Sequence, residues 1–476
     1  MRRIPRLSGD TMLGHVREMR TDPIALLNRL NRECGDIGAV RFLNTWLVVA
    51  NTPEMVGEVL VDKARSFRKS RFLRAALHPL IGDGLFNSDG DLWRRQRKLM
   101  APIFQPARVA EFAPCMSQYA TDGAEQWRDG ETVDVARETT RVTMAVAGKT
   151  LFDADTLDES DELGDALTVA LHWVMDAASS TSLGLQLISA GLLENLILRA
   201  PPPAKGPLAR VVANLEVPVM WPGAGTRRLK AAIRVLDGRV QRMIDERRAD
   251  SRPRRDLLTR LLGARDEETK GPMSDRQLRD EIVTLFVAGH ETTATALAWA
   301  FYLIDRHPDV RAALEREVSA IGTRPLTASD VPRLPLAQKV FKESLRMYPP
   351  VRVLERQAVE PVEIGGHQIP RGAFVAVWPW ALHHRPELWP DPERFDPERF
   401  TPQAEDARPR YAYVPFGAGA RVCIGNHFAL LEGPIVIAAW VARARLESAD
   451  DREVLSDPAA ATMRPLGGVT MRVMRR

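Results

Sequence analysis

Cysteine, lysine and long apolar runs are all scarce in this chain. Its 476 residues include three cysteines, Cys34, Cys115 and Cys423. So small and odd a number cannot make a disulfide framework. It fits a reducing compartment and raises the question of whether one cysteine is chemical. Lysine supplies nine of the 66 basic residues and arginine the other 57. The longest apolar run lies around Ile435–Val441, far short of the ~18 residues that span a bilayer. The opening Met1-Arg2-Arg3-Ile4-Pro5-Arg6 has no apolar core behind it, so neither a signal peptide nor a membrane anchor is expected. Charge of one sign is lacking too: 66 basic against 62 acidic residues leave +4. The two signs alternate, as in Glu246-Arg247-Arg248-Ala249-Asp250, where a nucleic-acid binder would carry a one-sided stripe. A soluble cytoplasmic protein is expected. With 45% hydrophobic and 27% charged residues, disordered, collagenous and coiled-coil classes are excluded for the whole chain.

At ~150 residues per domain the length suggests about three domains. No composition shift, repeat or low-complexity tract marks a boundary, so one large, mainly helical domain with small β-sheets fits better. Asp22-Pro23 and Thr52-Pro53 read as helix starts. Val40–Phe42 and Trp46–Ala50 read as a hairpin around Asn44-Thr45. From Asp91 to about Tyr348 apolar residues recur at helical spacing, for example Leu278, Ile282, Leu285 and Phe286. Proline and glycine interrupt this at Ala200–Pro222, a length suited to a lid. Val362–Ile364, Gly365-Gly366 and Ala373–Val377 read as a second hairpin. The proline-rich stretch Pro386–Pro409 is too aperiodic for helix.

The strongest feature is Phe416-Gly417-Ala418-Gly419-Ala420-Arg421-Val422-Cys423-Ile424-Gly425. A lone cysteine usually packs as a small hydrophobe. Here three glycines permit tight turns and close backbone approach, and an apolar helix follows at once. A helix N-terminus lowers a thiol pKa and offers N–H groups to the sulfur. Nucleophile and metal ligand are both open on this ground. A second feature is Ala288-Gly289-His290-Glu291-Thr292-Thr293 inside a long helical pattern from Ser274 to about Arg306. Glycine costs ~1 kcal/mol against alanine there, and threonine is also a poor helix former. A threonine can bond back to a carbonyl four residues earlier, and an acid beside an alcohol can relay protons. His290 is given no chemistry. Glu343-Ser344-Leu345-Arg346 places a charge pair at i, i+3. Trp93-Arg94-Arg95-Gln96-Arg97 places Trp93 and Arg97 on one helix face.

The cysteine run resembles the haem-binding loop of the cytochrome P450 family, Phe-x-x-Gly-x-Arg-x-Cys-x-Gly, at Phe416, Gly419, Arg421, Cys423 and Gly425. Four further motifs resemble the family's in its order along the chain. The resemblance implies a cytochrome P450 fold over residues 1–476, with residues 1–20 as an N-terminal arm, and haem b (iron protoporphyrin IX) as cofactor. Cys423 is implied to be the iron ligand, with Phe416, Gly417 and Gly425 around it. Arg421, Trp93, Arg97 and Arg356 are implied to hold the propionates, Arg352 being the bland alternative to Arg356. Burying those carboxylates demands cations. Thr292 and Glu291 are implied to deliver protons to dioxygen, with Ala288 and Gly289 leaving room. Glu343 and Arg346 are implied to form a buried structural triad with Arg399 of Pro397-Glu398-Arg399-Phe400, preferred over Arg394 of the near-copy Pro392-Glu393-Arg394-Phe395.

By the same analogy, substrate contacts are expected at Phe72, Leu77, Phe86, Val287, Ala288, Val351, Leu354 and Leu466, apolar residues that suit a hydrophobic substrate (a fatty acid, terpenoid, steroid or aromatic). The implied activity is monooxygenation with O2. A ferredoxin and its NAD(P)H-dependent reductase would supply electrons, docking beside Arg94, Arg95 and Lys98, to a monomer. A peroxide-driven peroxygenase, an isomerase or a non-enzymatic haem protein are the competing classes.

Overall fold

The structure is a computed structural model describing residues 2–9, 14–42, 45–154, 160–178, 180, 182–184, 186–187, 189–190, 193, 220, 223–250, 252, 254, 256–265, 271–450, 452–458 and 460–476. The expected lid at 200–222 lies outside these residues except for Met220. The fold is mainly helical, with small sheets at the edges.

Local chemistry sets the element ends. The Asp22 carboxylate accepts the Ala25 N–H at 2.9 Å and caps the helix Pro23–Cys34. Thr52 does the same for Met55 at 3.3 Å. Ile37–Phe42 (β1) and Thr45–Ala50 (β2) pair antiparallel, with Phe42 opposite Thr45. Among the described residues β1 and β2 continue into a five-stranded sheet. It runs on through Phe374–Val377 (β8) and Leu354–Ala358 (β5) to Phe67–Lys69 (β3), while Thr132–Asp134 (β4) belongs to a separate sheet with Thr470–Arg475 and Ala444–Ser448.

The expected second hairpin is corrected in its partner. Val362–Ile364 (β6) turns through Gly365 (φ +54°) and Gly366 (φ +77°) and pairs with His367–Ile369 (β7). A two-residue turn with positive φ at both positions returns the chain immediately, so the partner strand must follow at once. Residues 374–377 are buried throughout and lie between β2 and β5. Pro386–Pro409 also departs from expectation: Thr401 caps a short helix, Pro402–Ala407.

The long helix Asp275–Arg306 starts at Ser274, whose hydroxyl accepts the Gln277 N–H at 3.2 Å. Its far half, Thr293 to Ile304, is buried on every side, as for a helix at the centre of a large core. Small residues allow neighbours to approach closely. Thr139 and Thr143 of the helix Val135–Phe152 donate to Ala294 O (3.1 Å) and His290 O (3.0 Å), and Ser344 donates to Ala296 O (2.7 Å). The helix Asn426–Val441, which follows Cys423, packs into the same core through Trp440 and Ile437.

Candidate active site at the cysteine loop

Cys423 sits between a 3-10 turn, Gly419–Arg421, and the helix Asn426–Val441. Its N–H donates to Phe416 O at 2.9 Å, and Gly417 N–H donates to Val414 O at 3.0 Å. The glycines are needed where the motif puts them. Gly417 and Gly419 hold φ of +70° and +71°, and a Cβ on Gly419 would lie 2.2 Å from Leu60 O. Cys423 has a large accessible surface yet is enclosed by protein on all sides, so its sulfur faces an interior space. Burial pushes the thiol up, opposed by the Gly425 N–H and the Arg97 guanidinium.

Around this loop cations gather in excess. Lys69 and Arg356 are directly opposite on β3 and β5, a placement that two like charges disfavour. Arg421 stacks 4.3 Å over the Trp93 ring and pairs with Asp89. Arg74 faces Lys69, Asp89 and Arg421, while Arg97 faces Cys423. Burial and the neighbouring arginines Arg421 and Arg356 depress the Lys69 ammonium well below its ordinary range. Burial, then Arg421, lowers Arg356 to about 10. Burial alone would raise Asp89, but the Lys69 N–H, Arg421, the Gly90 N–H and Arg74 outweigh it and hold the carboxylate low. Five cations thus border the site, and the carboxylates facing them are Asp89 and Glu355. A buried surplus of positive charge calls for anions. The two propionates of haem beside a helix-capped cysteine satisfy it, and the donor set fits haem.

On the long helix, Ala288 is exposed although Phe286 and His290 on either side are buried. A mid-helix patch of this kind faces an internal space. Thr292 Oγ1 donates back to Ala288 O at 2.7 Å. Glu291 Oε1 accepts from Thr462 Oγ1 at 3.0 Å. Burial pushes the Glu291 carboxyl up, against Thr462 and Arg464. A Cβ built on Gly289 would meet Ala147 Cβ at 3.7 Å, an ordinary contact, so packing there does not demand the glycine. His290 is buried, donates to Phe286 O and is lowered to about 4 by burial. It is a neutral core residue.

Arg346 forks onto Glu343 with Nε–Oε2 2.7 Å and Nη2–Oε1 2.9 Å, both side chains fully buried. Arg399 Nε lies 3.5 Å from Glu343 Oε1, whereas Arg394 is exposed and offers Arg346 its backbone carbonyl. Arg352 is turned away from the cation cluster onto Ala460 O. Phe72 meets Phe374 edge-on at 5.3 Å, and Leu77 lies in the main core. Phe86 is 43% exposed, with Lys69 Nζ 4.5 Å above its ring. Val287, Val351 and Leu354 are half-buried, and Leu466 is exposed at a turn through Gly467 and Gly468. Sequence reading missed Lys69, Arg74, Asp89, Thr462 and Arg464. A strand register or a loop return brings each into place, and no local pattern signals either.

A cysteine set among buried cations, facing an open patch of a central helix, is an arrangement that suits a haem-thiolate protein. The family model described as Cytochrome P450 matches residues 6–194 and 206–469. The chain is 34% identical over 440 residues to "Cyclooctatin synthase" of Streptomyces melanosporofaciens, covering 92% of this chain and 88% of that one. It is 32% identical over 446 residues to "Cyclooctat-9-en-7-ol 5-monooxygenase" of the same organism, covering 91% and 87%. "Pentalenene oxygenase" of Streptomyces avermitilis is 29% identical over 444 residues, covering 93% and 91%. Among solved structures, the cytochrome P450DA heme domain superposes with a TM-score of 0.82 at 25% identity, covering 100% of this chain and 98% of that one. The chain belongs to the cytochrome P450 family of haem-binding monooxygenases.

Proposed function

We propose that this P450, one domain over residues 1–476, oxygenates a hydrophobic terpenoid-class substrate in the cytoplasm, drawing electrons from a separate ferredoxin and its NAD(P)H-dependent reductase. The observation that carries the reading is the open face Ala288–Thr292 with both its acid and its alcohol in place. Two relatives named above, a cyclooctat-9-en-7-ol 5-monooxygenase and a pentalenene oxygenase, support both the reaction and, by the compounds in their names, the substrate class. Among the described residues no helix is long and apolar enough to cross a membrane.

Cys423 would bind haem iron, with Arg97, Arg356, Arg421, Lys69 and Trp93 at the propionates. When bound, haem supplies dioxygen activation, which thiolate ligation favours by pushing electron density onto iron. The chain's own work is binding, orientation and proton supply. Thr292 presents a hydroxyl on the open face, anchored by Ala288 O. Glu291, its carboxyl pushed up by burial, stands next to it in the helix and accepts from Thr462. Phe86, Val287, Val351 and Leu354 offer apolar surface, and Phe72, Leu77 and Leu466 complete the assigned wall.

Thr292→Ala should lower product formation on the order of 10²-fold, the low end for lost proton transfer, while NAD(P)H oxidation continues and its electrons appear as hydrogen peroxide. Measuring product and peroxide per NAD(P)H checks it; unchanged coupling would remove Thr292 from the mechanism. The same assay with added peroxide and no reductase separates a peroxygenase, whose turnover Thr292→Ala should leave intact. The partner docks at the helix Gly90–Met100, where Arg94 and Lys98 are exposed. Reversing both charges should slow first-electron transfer about tenfold at low salt, with the difference shrinking as salt screens it. A salt-insensitive rate equal to wild type sinks this docking site. Soret-shift screening of terpenoid hydrocarbons, followed by product mass spectrometry, tests the substrate class.

A further inference from the structure

We infer that Glu281, acting through the loop 82–88 and with Gln96 as its relay, is the residue that positions Phe86 as a wall of the substrate cavity. The inference rests on the site reading above and deepens it. Two adjacent carboxylates of the long helix grip one loop. Asp280 Oδ2 accepts the Asp83 N–H at 3.1 Å, and Glu281 Oε2 accepts the Leu85 N–H at 2.9 Å. Gln96 ties both ends of the same loop: its Nε2 donates to Asp83 O at 2.8 Å and its Oε1 accepts from Ser88 Oγ. Glu281 lies against Gln96. Backbone meets backbone here, because a Cβ on Gly84 would fall 2.0 Å from Thr284 Oγ1 and 2.5 Å from Asp280 O.

Within the clamped loop Leu85, Asn87 and Ser88 are buried, and Phe86 alone among these four is exposed. Lys69, stacked on the ring, is itself enclosed beside Arg356 and Arg421. The loop also reaches the cation cluster, since Ser88 O accepts from Arg421 Nη1 at 3.3 Å. Hydrogen bonds at Asp83, Leu85, Asn87 and Ser88, on both sides of Phe86, fix the backbone that carries its ring. Burial pushes Glu281 up to about 8, against the Leu85 N–H, with Asp280 reinforcing and Gln96 opposing. At neutral pH it is therefore a neutral acid, and glutamine is its close isostere.

The test uses the haem-loaded protein and a series of 1-alkylimidazoles from methyl to dodecyl, whose binding to iron is read by the Soret shift. Glu281→Ala should weaken the longest chains about tenfold relative to 1-methylimidazole, within the range by which apolar pockets discriminate. Phe86→Ala should distort the chain-length profile in the same sense. Glu281→Gln should restore the wild-type profile, and Gln96→Leu should reproduce the Ala effect if Glu281→Ala folds poorly. A profile changed by Phe86→Ala but untouched by Glu281→Ala and Gln96→Leu overturns the positioning role and leaves the site reading standing. A profile untouched by Phe86→Ala overturns the site reading and the inference with it. A lower melting temperature with an unaltered profile marks Glu281 as structural and also overturns the proposal.

Discussion

Cys423→Ala should leave a folded protein that has lost the thiolate signature of its haem. The loop's shape does not depend on the sulfur. Its bonds are backbone bonds, Cys423 N–H to Phe416 O and Gly417 N–H to Val414 O, and its turns are set by positive φ at Gly417 and Gly419. Alanine keeps all of these. The sulfur faces the interior space, so removing it leaves no packing void of the kind that destabilises cores. The expected result is unchanged far-UV circular dichroism, a melting temperature of the apo form within a few degrees of wild type, and a reduced carbon monoxide complex whose Soret band lacks the thiolate red shift. Product formation should fall to background, because the ligand that favours O–O cleavage is gone. Retention of the thiolate spectrum would refute the assignment of Cys423. Haem itself should still associate weakly, since Arg97, Arg356 and Arg421 remain.

Much of this site was legible because its chemistry is local. The cysteine loop, the Ala288–Thr292 patch, Glu343-x-x-Arg346 and Trp93-x-x-x-Arg97 are each contiguous, and one turn of chain carries the physical reason for each. What was not legible depends on register and on returns of the chain. Lys69 joins the cation cluster only because β3 and β5 pair with Lys69 opposite Arg356. Thr462 meets Glu291 only because the C-terminal segment folds back over the long helix, held by Trp299 Nε1 on Met463 O at 2.6 Å. The partner of the strand Val362–Ile364 differs from expectation for a related reason. Periodicity identifies a strand but not its partner, and the positive φ at Gly365 and Gly366 that returns the chain onto His367–Ile369, not Ala373–Val377, is a backbone property no periodicity displays. The Glu281 clamp was invisible because a carboxylate inside an apolar helical pattern has no local mark; its partners are backbone N–H groups nearly two hundred residues away.

Breaking the Glu343–Arg346 pair should produce the largest loss of stability. Both side chains are fully buried, and Arg346 also donates to His383 O at 2.9 Å and Arg394 O at 3.3 Å. Arg346→Ala leaves buried Glu343 with only the Asp396 N–H and Arg399 as partners and unpairs two carbonyls, which costs about 3–5 kcal/mol, roughly a fifth or more of a typical domain's stability. Arg399→Ala should cost less, about 1 kcal/mol, since its Nε lies 3.5 Å from Glu343 without a formed hydrogen bond. The pH dependence has a definite sign. Burial pushes Glu343 up and Arg346 opposes it, so removing Arg346 raises the folded-state pKa further. A carboxyl raised in the folded state destabilises above its unfolded pKa and is relieved as pH falls and it takes a proton. The gap between wild type and Arg346→Ala should therefore narrow toward acid, as denaturant titrations between pH 5 and pH 8 would show.

The damage should also reach the haem. Arg346 Nη1 donates to His383 O at 2.9 Å, and His383, buried and neutral, accepts the Val414 N–H at its Nε2 at 3.0 Å. Val414 O in turn accepts the Gly417 N–H that opens the cysteine loop. The Arg346 side chain thus braces the Cys423 loop through three hydrogen-bonded steps. Arg346→Ala should retain less haem than Arg399→Ala at equal fraction folded, measured as haem per protein. Equal haem content at equal foldedness would mean that the pair stabilises the helical core without bracing the cysteine loop.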